Sequence, residues 1–415
     1  MTAAGMATSE VVVTGLGAIG PGARGAEALW QVVLDGKTMA RHDTELEAAG
    51  VAVTISCRAP SFDADAELGP KASRRIDRYA QLALLAADEA AGHAGLAGGA
   101  EPERLGIVLG TGGGGFETWE SEYRRYLTSG PSRISPLALP KALANTAAGL
   151  ISMRLNAQGP NLTVNTACGS GATALLVARD MIRSGAADVM VAGGVEAGIT
   201  GLAAGAFAQM GALSRNPDPA TASRPFDVDR DGFVLGEGAG VLILERADHA
   251  RSRGARPLAV LAGAASSADA HHITAPPEDG RGARLAMVNA LAAAGLDAAD
   301  VGHVNAHGTS TPPNDTAEAR AIRSVFGPAA DNLAVSSTKG VTGHPLGAAG
   351  AIEAVFSVLA LRDQLAPPTA NLEILDPAVA LDVVRGEPRA TTFQAVMSNS
   401  FGFGGQNTVL LFTTA

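Results

Sequence analysis

Two cysteines, Cys57 and Cys168, are all that 415 residues contain, too few for a disulfide framework. Aromatic residues make up 4% of the chain against 51 glycines, which favours close backbone packing over large aromatic clusters. No apolar run reaches about 18 residues, so no membrane span is expected. The start, "MTAAGMATSEVVVTGLG", lacks the basic segment and long apolar stretch of a signal peptide, and a reduced, cytoplasmic enzyme is expected. Basic residues are outnumbered: 31 Lys and Arg face 41 Asp and Glu, and the net charge of −10 argues against general nucleic-acid binding. Among eight histidines only His271 and His272 are adjacent, and with neither H-E-x-x-H nor C-x-x-C no metal site is expected.

What is present is 47% hydrophobic and 17% charged, enough to bury a sizeable core in one large domain or two related halves. Short β-branched runs ("EVVVTGLG", "RLGIVLGTG", "NLTVNTA", "ADVMVAGG") read as buried strands. They alternate with helical stretches ("RYAQLALLAADEAAGHAG", "GATALLVARDMIRSG"). That alternation predicts an α/β protein with largely buried sheets. The plan repeats after about residue 255, giving halves 1–255 and 256–415. Both are expected to finish on a glycine-rich hairpin, "DGFVLGEGAGVLILE" and "NSFGFGGQNTVLLF". Residues 116–160 fit the plan least well and read as an excursion that covers the site or makes a subunit contact.

Two glycine motifs invite a nucleotide reading and fail it. "GLGAIG" follows a strand, but Pro21 and Gly22 interrupt the helix start that a dinucleotide turn needs. "GTGGGG" lacks the Lys-Ser/Thr of a phosphate loop, so tight backbone packing is expected there.

The chemistry gathers around "VNTACGSGATALL". A strand ends at Thr166-Ala167, Cys168 follows, and a helix of small residues begins. Unpaired N–H groups at a helix start favour an anion, by about one pKa unit at most, so a basic or polar partner is expected nearby. His307, in "HVNAHGTS", and His344, in "STKGVTGHPLGAAGAIE", both follow strand ends, where an α/β sheet gathers its site. Lys339 lies five residues before His344, and Glu353 is on the following helix.

With "VNTACGSGA", "RPFDVDRDGFVLGEGAG", "NAHGTSTPPND", "SSTKGVTGHPLGAAGAIE" and "NSFGFGGQN" in this order, the chain resembles the β-ketoacyl-acyl-carrier-protein synthases of the I/II type, condensing enzymes of the thiolase superfamily. The resemblance covers nearly the whole length. It implies a thiolase fold, two βαβαβαββ halves in a five-layered αβαβα arrangement, and a Cys168–His307–His344 site. It further implies a Lys339–Glu353 ion pair, and a gating Phe403 whose N–H joins that of Cys168 in an oxyanion hole. Thr309 and Thr311 match contacts to the pantetheine arm, and Asp269 and Thr274 a mobile loop beside the gate. The implied activity is decarboxylative Claisen condensation: an acyl chain on Cys168 is extended by two carbons from a malonyl thioester, without metal or redox cofactor. Degradative thiolases use a second cysteine that "NSFGFGGQN" lacks, and initiating type III synthases carry Asn where His344 stands.

The match loosens at Gly169-Ser170, at Gln406, and at Gly113, where type II relatives carry a bulky aliphatic at the acyl pocket. An acyl carrier protein is the implied partner, docking on Lys71, Arg74 and Arg75, which "KASRRIDR" places with Arg78 on a helix start; Gly211 lacks the arginine of relatives. The chain is expected to form a homodimer, or a heterodimer with a chain-length-factor-like subunit. The second case would make it a ketosynthase of a dissociated polyketide or polyene pathway. A non-catalytic acyl-chain binder on the same fold is the remaining alternative.

Overall fold

The structure is a computed structural model and describes residues 10–415. Five strands come from the first part of the chain: β1 (Val11–Gly20), β2 (Leu105–Gly110), β3 (Asn161–Val164), β4 (Val189–Glu196) and β5 (Gly238–Arg246). Five more follow: β6 (Ala259–Ala268), β7 (Val301–Asn305), β8 (Ala334–Ser336), β9 (Ala395–Gly402) and β10 (Gln406–Thr413). Across the sheet they run β8-β7-β9-β10-β6-β1-β5-β4-β2-β3. Counted from its own first strand, each set reads 3-2-4-5-1, so one topology is used twice. The sets join where β1 and β6 pair antiparallel at Val12–Val260 and Val13–Ala259.

Seven helices set the layers: α1 (Arg78–His93), α2 (Phe116–Ser129), α3 (Thr146–Leu155), α4 (Ser170–Arg183), α5 (Arg281–Ala294), α6 (Pro312–Phe326) and α7 (Ala349–Asp363). Helix α1 covers β1 and β5 with α3 beside it, α5 covers β6 and β10 with α6 beside it, and α4 and α7 lie side by side between the two sets. The result is the five-layered αβαβα arrangement of the thiolase fold. Ala349 through Leu361 of α7 are all buried, as a central helix that is apolar on every side requires. Small residues permit the contact: a Cβ on Gly171 would lie 2.8 Å from the Ala351 nitrogen.

The same closeness explains "GLGAIG", which continues inside β1. A Cβ on Gly15 would meet the Ala90 carbonyl of α1 at 2.2 Å, and one on Gly17 the Ala86 carbonyl at 2.0 Å. The motif is a packing seam.

The structure corrects two expectations. Residues 231–245 form no hairpin: Leu235–Gly236 pairs in parallel with Ile55–Cys57, while β5 pairs with β1 and β4. The break falls at Glu237, whose buried carboxylate turns aside to an ion pair with Arg78 at 2.6 Å. Nor is β3 a buried strand. It is one of the two edge strands, and Asn161 and Leu162 are exposed. Helix α2, in the stretch that fits the plan least, stands on the surface with Trp119, Tyr123, Tyr126 and Leu127 uncovered. Among the described residues no helix is long and apolar enough to cross a membrane.

Candidate active site

Cys168 follows β3, His307 follows β7, His344 follows β8 and Phe403 follows β9; all four line one cavity of about 270 Å³. The sulfur sits on a strained turn. Ala167 has φ of 50° without being glycine, a conformation that costs energy and persists only where neighbours enforce it. Ser170 enforces it, donating to the Ala167 carbonyl at 2.6 Å and accepting from the Thr166 N–H at 2.9 Å. The backbone N–H groups of Phe403 and of Cys168 itself draw the thiol pKa down, so both lie on the sulfur's side of the cavity. Two N–H groups beside the nucleophile are the donors that the expected oxyanion hole calls for.

The helix start does not give an acidic thiol. Burial dominates and pushes Cys168 up to about 11; the Lys339 ammonium and the two N–H groups pull it back only in part. Desolvation of a thiolate outweighs the pull of the first turn of α4. Cys57 is more deeply buried, rises to about 12 for the same reason, and lies outside the cavity lining.

The two imidazoles meet edge to face, with centroids 5.4 Å apart and planes at 84°. Burial first, then the Lys339 charge, pushes both pKa values well below 6.5, so both rings are neutral. His307 is fixed through its backbone: its N–H and that of Gly308 donate to the two oxygens of Glu318 at 2.8 Å each. Asn399 adds a third donor to Glu318 at 3.1 Å. His344 is pinned between its N–H to Val234 (2.7 Å) and its carbonyl, which accepts from Gly236 (2.9 Å). Lys339 and Glu353 form a buried ion pair beneath the site. Burial lifts Glu353 to about 7 while the ammonium draws it down.

Thr309 and Thr311 line the cavity with hydroxyls 2.9 Å apart. Asp269 and Thr274 line it too. Their loop is tied to the Phe403 turn by three hydrogen bonds: Asp269 N–H to the Gly405 carbonyl (2.8 Å), Gly404 N–H to the Ile273 carbonyl (2.6 Å), and Asn407 to the Asp269 carboxylate (2.7 Å).

Other expected residues lie elsewhere. Gly113 does not open the cavity, because a Cβ there would lie 2.0 Å from the ring of Phe116, which fills the space. Phe116 and the cavity residue Leu346 share a neighbour: a Cβ on Gly198 would touch both, at 3.6 and 3.3 Å. Lys71, Arg74 and Arg75 are exposed and outside the cavity lining. They do not share a helix start with Arg78. Lys71 is in the short helix Pro70–Ser73, Arg74 reaches Asp65 at 3.3 Å, and Arg78 opens α1 and points inward to Glu237. Two buried acids were missed, Glu318 and Glu196; for Glu196 the available signal was an acid closing an apolar strand, "VMVAGGVE". Among the described residues no three His, Cys, Asp or Glu side chains are grouped to hold a metal ion.

The family model "Beta-ketoacyl synthase, N-terminal domain" matches residues 8–250, and "Beta-ketoacyl synthase, C-terminal domain" matches 258–373. The chain belongs to the beta-ketoacyl synthase family. Among curated relatives, a 3-oxoacyl-[acyl-carrier-protein] synthase 2 from Synechocystis is 45% identical over 411 residues, 99% of each chain. One from Rhizobium meliloti is 44% identical, covering 97% of this chain and 98% of the relative. Solved structures agree. A beta-ketoacyl synthase from Burkholderia phymatum superposes with a TM-score of 0.91 at 33% identity, over 98% of this chain and 100% of its own. The AntDE:AntF complex, a ketosynthase with its type II polyketide acyl-carrier protein, gives 0.91 at 31%, with coverage of 98% and 100%. This beta-ketoacyl synthase is therefore an acyltransferase, a condensing enzyme of the 3-oxoacyl-[acyl-carrier-protein] synthase type. The synthase 2 name of relatives at 44–45% identity favours fatty-acyl extension over a polyketide subunit.

Proposed function

We propose that Cys168, His307 and His344 carry the condensation in two half-reactions. In the first, the Cys168 sulfur attacks the carrier's thioester carbonyl, the new S–C bond replaces the old one, and the carrier thiol leaves with the proton. The tetrahedral oxygen is held by the N–H groups of Phe403 and Cys168. In the second, a malonyl thioester in the same cavity loses CO₂. The neutral rings of His307 and His344 each offer one N–H to the thioester oxygen as it gains charge. The enolate carbon attacks the acyl-cysteine, a C–C bond forms, and the sulfur departs to recover a proton. The reaction as written needs no metal and no electron carrier.

The observation that carries this reading is one cavity lined from four strand ends by the Cys168 sulfur, two neutral imidazoles in edge-to-face contact and Phe403. Lys339 and Glu353 act from beneath, and Thr309 and Thr311 receive the pantetheine arm. Asp269 and Thr274 flank the gate at Phe403. The carrier is an acyl carrier protein approaching Lys71, Arg74 and Arg75. A second copy covers the apolar face of α2 and the open edge of β3 to form a homodimer. The compartment is the reducing cytoplasm, where both thiols stay free.

The test is mass spectrometry of the intact protein and of its proteolytic peptides after mixing with acyl-loaded carrier. One acyl group on the peptide containing Cys168 is expected; its absence removes the reading and leaves only an acyl-chain binder.

A further inference from the structure

Glu196 closes β4 and is fully buried, yet the two half-reactions leave it without a task. Its partners are four neutral donors from two separate turns. The turn after β2 supplies the Thr111 hydroxyl at 3.1 Å and the N–H groups of Gly112 and Gly113 at 2.7 and 3.2 Å. The turn that begins with His344 supplies the Gly347 N–H at 3.1 Å. Glycine is required on both sides: a Cβ on Gly112 or on Gly347 would stand 2.7 Å from the carboxylate, and one on Gly347 also 2.4 Å from the Gly112 nitrogen. The first turn leads directly into Phe116. The second carries His344 and Leu346, and both line the cavity with Cys168.

We propose that Glu196 is a positioning residue: one buried carboxylate clasps the turn behind the acyl pocket to the turn bearing His344, and so sets that ring against Cys168. A carboxylate suits the task because both of its oxygens accept, so four donors can converge on one group. Desolvating it is costly, and burial lifts its pKa to about 7. A role met equally well by an apolar side chain would not retain such a group. The inference rests on the proposed part of His344 in decarboxylation.

Glu196→Gln tests it, because glutamine keeps the shape but turns an NH₂ toward N–H donors. Two steps are read separately in the full-length protein: acylation of Cys168 by acyl-loaded carrier, and CO₂ release from malonyl-loaded carrier. Decarboxylation is expected to fall on the order of 10²-fold, the effect of a displacement of about 1 Å, with acylation held within about three-fold. Thr111→Val removes one donor of the four and is expected to move the same ratio less far. It carries the test if Glu196→Gln does not fold. Equal loss of both steps, or loss of neither, overturns the proposal. Failure of the unsubstituted enzyme to acylate or decarboxylate would instead overturn the functional reading beneath it.

Discussion

The ring of Phe116 occupies the space that a side chain on Gly113 would take, at 2.0 Å from a Cβ built there. Bulk absent at one position of the turn is supplied three residues later, so residue 113 alone does not report the size of the acyl pocket. Phe116→Ala is expected to lengthen the acyl chains accepted. The kcat/KM for the longest substrates should rise about ten-fold or more, the discrimination that one or two methylenes carry in an apolar pocket. Mass analysis of products from a ladder of acyl carriers checks it; an unchanged length profile would place the pocket elsewhere.

Cys168→Gln removes the nucleophile but leaves both imidazoles and the Phe403 N–H in place. Condensation should be lost while CO₂ release from malonyl carrier persists. In His344→Ala, CO₂ release should fall by about 10²-fold or more and acylation far less, since one lost donor to a developing oxyanion costs about 2.7–4 kcal/mol. Continued chain extension by the Gln variant would show that another group accepts the acyl chain.

The pH dependence follows from burial. Both imidazole pKa values lie well below 6.5, so the neutral rings persist on the acid side. Decarboxylation by Cys168→Gln should stay flat from about pH 8 down to about 5.5, without the step near 6.5 that an ordinary histidine gives. The thiol behaves oppositely. Raised to about 11, it holds its proton at neutral pH, and alkylation of Cys168 by iodoacetamide should still be accelerating above pH 9. A plateau near pH 7 would mean that the thiolate is stabilised more strongly than its surroundings indicate.

Lys339→Met strands the Glu353 carboxylate in the interior. Breaking a buried pair by removing one partner costs about 3–5 kcal/mol. The sign of its pH dependence is fixed by the carboxyl, which burial already lifts to about 7 with the ammonium present. Near pH 5 the stranded group is neutral and the loss is small; near pH 8 it must ionise or bind a proton at a cost. Urea unfolding at the two pH values should therefore show the larger loss at the higher one. Equal losses would mean that solvent reaches the pair.

The site was legible where function is written in contiguous residues. "VNTACGSGA" and "STKGVTGHPLGAAGAIE" each keep a strand end, a turn and a helix start within one short run, so Cys168 and His344 could be placed from order alone. Glu196, Glu318 and Phe116 could not. Glu196 acts on a neighbour brought in by folding, across 85 residues to Thr111, and a lone acid after an apolar strand has many uses. Glu318 and Phe116 act on residues 11 and three positions before them, but only the folded turns show that their side chains point back. The Cys168 pKa was misjudged for a related reason. A helix start is visible in sequence, whereas the burial that overrides it depends on what packs around the turn. The expected hairpin at 231–245 likewise breaks at Glu237, whose partner Arg78 is distant in sequence.

The twice-used 3-2-4-5-1 strand order has an outcome for how such an enzyme divides its labour. Corresponding turns before α4 and α7 present different groups: one copy of the motif offers sulfur, the other imidazole. Separated, neither copy would own a complete half-reaction, since Cys168 leans on Phe403 of the other copy, and mixing the two pieces should restore turnover only as fast as they find one another.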